Sequence, residues 1–203
     1  MTQTNEASSG LLALPVLVVE QKKRVLDVST DYSLFDEDGD RVGRVRQVDQ
    51  GAGQRLLRFV SSFDKYLKFS FEVIDASGAV LLRLTRPAKV LKSRLIVESG
   101  AGVAVGEIVQ TNMLGKINFA LESEGVLVGE MMGHSWRDKK FTIKDPQANR
   151  VGDISKRWEG LRGVFHSEDK YVVRLEPHAP EPLRTLAIAA SVCLDVALHH
   201  EER

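Results

Sequence analysis

Five times along this chain an alternating apolar stretch runs into a small polar cluster and continues as a second alternating stretch. The units are "YSLFDEDGDRVGRVRQV" from Tyr32, "FEVIDASGAVLLRLTRP" from Phe71, "LIVESGAGVAVGEIVQT" from Leu95, "FALESEGVLVGEMMG" from Phe119 and "FTIKDPQANRVGDISKR" from Phe141. Period-2 alternation on both sides of an Asp, Glu, Ser, Asn or Gly cluster is the sequence form of a β-hairpin. The second arm carries a glycine at Gly43, Gly106, Gly129 and Gly152, which predicts a bulge or a close backbone approach there. "VLVVEQ" (Val16–Gln21) is expected to pair with "RVLDVS" (Arg24–Ser29) ahead of the series, and "YVVRLE" (Tyr171–Glu176) follows it. The total is about a dozen strands in one antiparallel run. Five hairpins do not divide evenly into four-stranded propeller blades, whereas a closed meander barrel removes every exposed edge. A barrel of about twelve strands is too wide for its own side chains to fill. Something must occupy the middle.

The occupant is encoded last. From Leu186 to Leu198 only Ser191 and Asp195 are clearly polar. A bilayer span needs about 20 predominantly apolar residues, and this stretch is shorter. It is apolar nearly all round, as a buried helix is, rather than striped like a surface helix. Its small residues, Ala187, Ala189, Ala190, Ser191 and Ala197, would let strands approach closely. A central helix over about 183–199 is therefore expected, entered through the rigid connector "PHAPEPL" (Pro177–Leu183), with a membrane insert as the alternative. The polar stretch 1–10 reads as a disordered tail, and 11–203 as one barrel domain including the helix.

Charge is balanced overall, 28 Lys plus Arg against 28 Asp plus Glu, but it is not evenly spread. Asp27–Asp49 holds seven acids against three arginines, whereas Ala76–Val97 holds five bases and no acid. A basic face attracts anions even on a neutral chain. Cys193 is the only cysteine, so no intramolecular disulfide forms and a reducing, cytoplasmic setting is expected. The N-terminal stretch lacks the charged start and apolar core of a secretion signal.

Three segments then resemble one family. "VGDISKRWEGLRGVFHSEDKYVVRLEP" (Val151–Pro177) resembles the I-S-K-x-W-x-G region of phospholipid scramblases, with its acidic loop and C-terminal apolar helix. "LRLTRPAKV" (Leu82–Val90) resembles their L-x-R-P segment, and "VGEIVQT" (Val105–Thr111) their G-x-V-x-Q-T strand. The resemblance runs in family order over roughly Leu11–Glu202. It implies the fold shared with LURP-one-related proteins and the Tubby C-terminal domain: a mainly-β, Tubby-like closed antiparallel barrel of 12 strands around a central C-terminal hydrophobic helix. It also implies a scramblase-like protein that binds anionic phospholipid or phosphoinositide headgroups, peripheral at the inner face of the plasma membrane. Lipid scrambling itself is the weaker implication. A soluble cytoplasmic scaffold or protein-interaction module on the same barrel, with partners unknown, is the alternative.

Departures from the family pattern narrow these expectations. The palmitoylated cysteine-rich stretch of scramblases corresponds to "RPAKVLKSRL" (Arg86–Leu95), which has no cysteine. Their Pro-rich N-terminal tail has no counterpart. Their calcium loop corresponds to "SEDKYVVRLEPH" (Ser167–His178), where the weak candidates are Glu168, Asp169 and Glu176. Calcium needs 6–8 oxygen ligands, so no calcium and no other cofactor is expected.

The candidate lipid site is the basic run Arg83, Arg86, Lys89, Lys92 and Arg94, joined by Lys156, Arg157 and Trp158. Lys and Arg near an anionic membrane contribute about 1 kcal/mol each, and a Trp beside bases suits the interface. The same residues on a solvated strand edge, with Trp158 and Trp136 simply packed under long side chains, would need no ligand. Trp beside bases also stacks nucleic-acid bases, but within the resemblance lipid is preferred and nucleic acid is not expected. "GAGVAVG" (Gly100–Gly106) lies in a hairpin turn with no following helix, so it is no dinucleotide fingerprint. No Ser/His/Asp or Cys/His set is visible, and no enzyme activity is expected.

Overall fold

In a computed structural model the described residues are 10–21, 31–48, 69–87, 94–111, 117–133, 140–155 and 170–198. They form a 3-10 turn at Gly10–Ala13, then twelve strands: β1 Val16–Gln21, β2 Asp31–Phe35, β3 Arg41–Val48, β4 Phe69–Asp75, β5 Val80–Arg86, β6 Arg94–Ser99, β7 Ala104–Gln110, β8 Ile117–Ser123, β9 Val126–Gly133, β10 Phe141–Lys144, β11 Arg150–Ser155 and β12 Lys170–Leu175. Each pairs antiparallel with its sequence neighbours, and β12 closes the ring on β1. One helix, α1, follows at Leu183–Leu198.

The alternation in sequence becomes an inside and an outside. Leu82 and Leu84 on β5, Leu95 and Val97 on β6, and Ile117, Phe119 and Leu121 on β8 all turn inward and are buried. The residues between them face out. Closure corrects one expectation: both edges of β1 are taken, by β12 and β2, so Val16–Gln21 does not pair with Arg24–Ser29, which lies outside the described residues. The hairpin glycines sit where the ladder slips. Register shifts fall next to Gly43, Gly106, Gly129 and Gly152, at Leu34/Phe35, Val97/Glu98, Leu121/Glu122 and Ile143/Lys144 of the partner strands. Each slip bends its hairpin, and the bends close the sheet.

Four of the hairpins close by one geometry. The N–H of Asp36, Asp75, Ser99 and Asp145 donates to the carbonyl of the residue four further on, and the N–H three further on donates back. The Oδ1 atoms of Asp36, Asp75 and Asp145 also accept the N–H groups at the second and fourth following positions. The Ser77 hydroxyl and neighbouring amides hold the Asp75 carboxyl below its ordinary pKa, and the Asn149 side chain does the same for Asp145. The fourth residue must be left-handed: Gly39, Gly78 and Gly102 have φ of 89°, 94° and 83°, but Ala148 stands there in the last hairpin at 65°. An L-residue with a Cβ is disfavoured in that region by about 1 kcal/mol. Ala148→Gly is therefore expected to stabilise the barrel by about 0.5–1 kcal/mol, read as a rise of about 1–4 °C in the thermal midpoint. A lower midpoint would show that the turn carries no strain.

α1 fills the lumen. Leu186, Ala187, Ile188, Ala189, Ala190, Val192 and Leu194 are all buried, as the apolar stretch predicts. It packs mainly against β7, β8, β9 and β12 and against the 3-10 turn. Its leucines meet glycines on the wall: a Cβ on Gly129 would strike Leu183 Cδ1, and one on Gly106 would stand 3.1 Å from Leu186 Cδ1. No helix among the described residues is long and apolar enough to cross a membrane.

Candidate functional site

An antiparallel meander sends alternate connections to opposite ends of the barrel. One rim carries the short links 36–40, 76–79, 100–103, 124–125 and 145–149, together with 176–182, which leads into α1. The other joins its strand ends through 22–30, 49–68, 87–93, 111–116, 134–140 and 156–169, the longer connections. Charge divides the same way. The longer connections contain sixteen Lys or Arg against seven Asp or Glu, whereas the short-link rim contains eight Asp or Glu and no Lys or Arg. The short-link rim, made of described residues, is therefore acidic, whereas of the sixteen bases only Lys140 is among the described residues.

The start of α1 is fixed at the short-link rim. Its N-terminus enters at the acidic rim, where Thr185 N–H donates to Glu181 Oε2 at 3.2 Å. A carboxylate at the positive end of a helix dipole is stabilising. Arg184, 7% exposed, donates to the carbonyls of Ala13 at 3.5 Å, Leu14 at 3.3 Å and Glu176 at 2.7 Å. Those three bonds tie the helix start to the 3-10 turn and to the end of β12. Lys170 and Glu20 pair at 3.1 Å across β12 and β1, and Arg150 with the buried Asp153 along β11.

The predicted basic residues divide by position. Arg83 stands mid-strand on the outer wall, in a row Arg46–Glu72–Arg83 in which Arg46 Nη2 meets Glu72 Oε2 at 2.7 Å and Arg83 Nε meets Glu72 Oε1 at 3.6 Å. Its Nη1 also donates to the Gly100 carbonyl. Arg83 is thus engaged on the wall, away from the rim of longer connections. Arg86 ends β5 and Arg94 begins β6, so both flank that rim. Arg94 Nη1 lies 3.5 Å from Glu107 Oε2, with both side chains well exposed, an ion pair that water and salt weaken. Lys89, Lys92, Lys156, Arg157 and Trp158 lie outside the described residues, but the strand ends that bracket them, β5–β6 and β11–β12, belong to the same rim. Those strand ends are six strands apart in the ring, on opposite sides of it.

The calcium candidates do not share a place. Glu168 and Asp169 lie outside the described residues, and Asp169 directly precedes Lys170, the first residue of β12; Glu176 directly follows its last, Leu175. Six residues of strand span about 20 Å, so Glu176 cannot join the other two on one ion. The middle of that stretch is itself a buried strand, β12. Among the described residues no group of three or more His, Cys, Asp or Glu could hold a metal. Sequence reasoning missed Arg184, whose only signal was a lone cation at the start of an apolar helix.

Against known proteins, the scramblase family model matches residues 1–201. The chain belongs to the scramblase family. A phospholipid scramblase family protein of Schizosaccharomyces pombe is 25% identical over 189 residues, covering 84% of this chain. This scramblase-family chain spans about half of that relative's length, 48%. The fold has a counterpart in a solved Arabidopsis thaliana protein, with a TM-score of 0.53, 15% identity and 94% of each chain covered. That likeness shows the fold and nothing further.

Proposed function

We propose that this scramblase-family barrel binds anionic phospholipid headgroups at the inner face of the plasma membrane, without covalent catalysis, through the rim of longer connections. The observation that carries the reading is topological: the strand ends bracketing Arg86–Arg94 and those bracketing Lys156–Trp158 lie on one rim, whose connections hold more than twice as many bases as acids. Anchor points spread around a ring suit a surface of many headgroups better than one headgroup in a pocket. Family membership supplies the phospholipid, and electrostatics supplies the preference for anionic lipid.

The test is co-sedimentation with phosphatidylserine-containing and purely phosphatidylcholine vesicles. Wild type is expected to bind the first and not the second. Changing Lys89, Lys92 and Arg94 together to Glu removes about 3 kcal/mol of attraction at about 1 kcal/mol per base and adds repulsion, a loss of more than about a hundredfold in vesicle affinity. Arg83→Glu, on the wall, should cost far less. Absence of wild-type binding to anionic vesicles sinks the reading. Reconstitution into proteoliposomes with a fluorescent lipid, with and without calcium, measures scrambling separately.

A further inference from the structure

Among the described residues only three large apolar side chains are exposed: Val103 at 65%, Val126 at 63% and Leu127 at 40%. They lie on two neighbouring hairpins of the short-link rim, Val103 in the β6–β7 link and Val126 and Leu127 at the start of β9. β7 and β8 are paired, so the two hairpin tips stand side by side, and the Ser123 hydroxyl ties them by donating to the Val105 carbonyl at 2.8 Å. Each tip is also fixed on its own account. Ser99 Oγ accepts the Val103 N–H at 3.1 Å, and a two-residue turn, Glu124 and Gly125, joins Ser123 to Val126. The patch is therefore formed before anything binds to it. Carboxylates border it: the ladder register places Leu127 opposite Glu122 and Glu122 opposite Glu107, and Glu124 stands in the turn itself. Glu122 and Glu124 make no ion pair among the described residues. Bases on the adjoining strands have carboxylates of their own: Arg83 is held by Glu72, Arg94 pairs with Glu107, and Lys144 stands opposite Glu130.

We propose that this patch docks a cationic amphipathic segment of a partner protein, with its apolar side chains on Val103, Val126 and Leu127 and its Lys or Arg side chains on Glu122 and Glu124. Exposed apolar side chains rimmed by polar ones are the ordinary form of an interaction site. The strands close into a ring with no free edge, so a partner cannot add a strand and must bind through side chains. Charge selects the occupant. An anionic bilayer would meet unpaired carboxylates beside the apolar tips and be repelled. A second copy packed patch to patch would set Glu122 and Glu124 against the same residues. A segment with Lys or Arg flanking apolar residues satisfies both halves of the surface. The inference is independent of lipid binding.

The probe is a synthetic peptide of about 14 residues with Leu at helical i, i+3, i+4 and i+7 spacing and Lys elsewhere, titrated with the 203-residue chain by fluorescence anisotropy. Wild type should bind it, and should not bind the same peptide with Glu in place of every Lys. Val103→Thr, Val126→Thr and Leu127→Thr together keep strand-favouring residues in place and should weaken binding by about tenfold or more. Glu122→Gln with Glu124→Gln should weaken it by about tenfold at about 50 mM salt and by less than about threefold at about 500 mM. The control changes Glu37→Gln, Asp38→Asn and Asp40→Asn together, on the β2–β3 link across the same rim, where no large apolar side chain is exposed. At about 150 mM salt it should alter binding by less than about twofold. Failure of wild type to bind the Lys-containing peptide, or a loss from the control as large as that from the Glu122 and Glu124 changes, overturns the proposal. Loss through the three Thr changes of self-association in sedimentation, or of binding to phosphatidylserine-containing vesicles, overturns it too, because the occupant would then be a second copy or a bilayer.

Discussion

Leu194→Asp is expected to leave no folded barrel at ordinary temperature. Leu194 is 1% exposed and lies in the fourth turn of α1, inside the closed ring. Removing a buried Leu side chain costs about 2–5 kcal/mol. An unpaired buried carboxylate adds several more, and no Lys or Arg projects from α1 except Arg184, already bound to three carbonyls. The total approaches or exceeds the 5–15 kcal/mol that holds a domain together. Circular dichroism and thermal melting should show loss of the cooperative transition, with the protein recovered in aggregates. A soluble Leu194→Asp variant with an unchanged melt would mean that α1 does not fill the lumen.

Gly129→Val should have the next largest effect, and its cause is contact rather than charge. A Cβ at this position would strike Leu183 Cδ1 and lie 2.7 Å from the backbone carbonyl oxygen of Lys144 on the adjacent β10. Leu183 can shift only by lifting the start of α1, where Arg184 and Thr185 are bonded. The carbonyl belongs to the bulged β10–β11 hairpin and has little freedom. Overpacking of a rigid site costs about 1–3 kcal/mol, and the two added methyl groups point into the same crowded seam. A midpoint lowered by about 5–10 °C is expected, with Gly129→Ala intermediate. Unchanged melting of Gly129→Val would place the helix start farther from β9. Gly125, in the neighbouring turn, has open space around a Cβ but a φ of 75°, so its substitution would report turn strain and not helix seating.

Much of this architecture was legible in the residues because it depends on local patterns. Alternation specified strands, clusters of Asp, Ser and Gly specified turns, and Gly43, Gly106, Gly129 and Gly152 marked the slips that curve the sheet. The apolar run ending at Leu198 could be assigned inward by its length and its lack of a polar face. What escaped was non-local. The pairing of β1 with β2, instead of with Arg24–Ser29, follows from closure of the whole ring. The separation of Arg83 from the other bases depends on where β4 sets Glu72. In the candidate site, a run of five bases read as one cluster, but a strand turns successive residues to opposite faces and carries them along its length. Arg83 and Arg94 consequently have different neighbours and different carboxylate partners.

The amino-acid order alone determined that this chain makes a curved, closed series of hairpins with an apolar helix to enclose, because period, turn chemistry and helix polarity are properties of a few adjacent residues. It also determined that net charge is zero. Only the tertiary structure decided that the short hairpin links, distant in sequence, form one acidic rim. In a meander every second connection returns to the same end, so acids scattered from Asp36 to Glu181 gather at one rim.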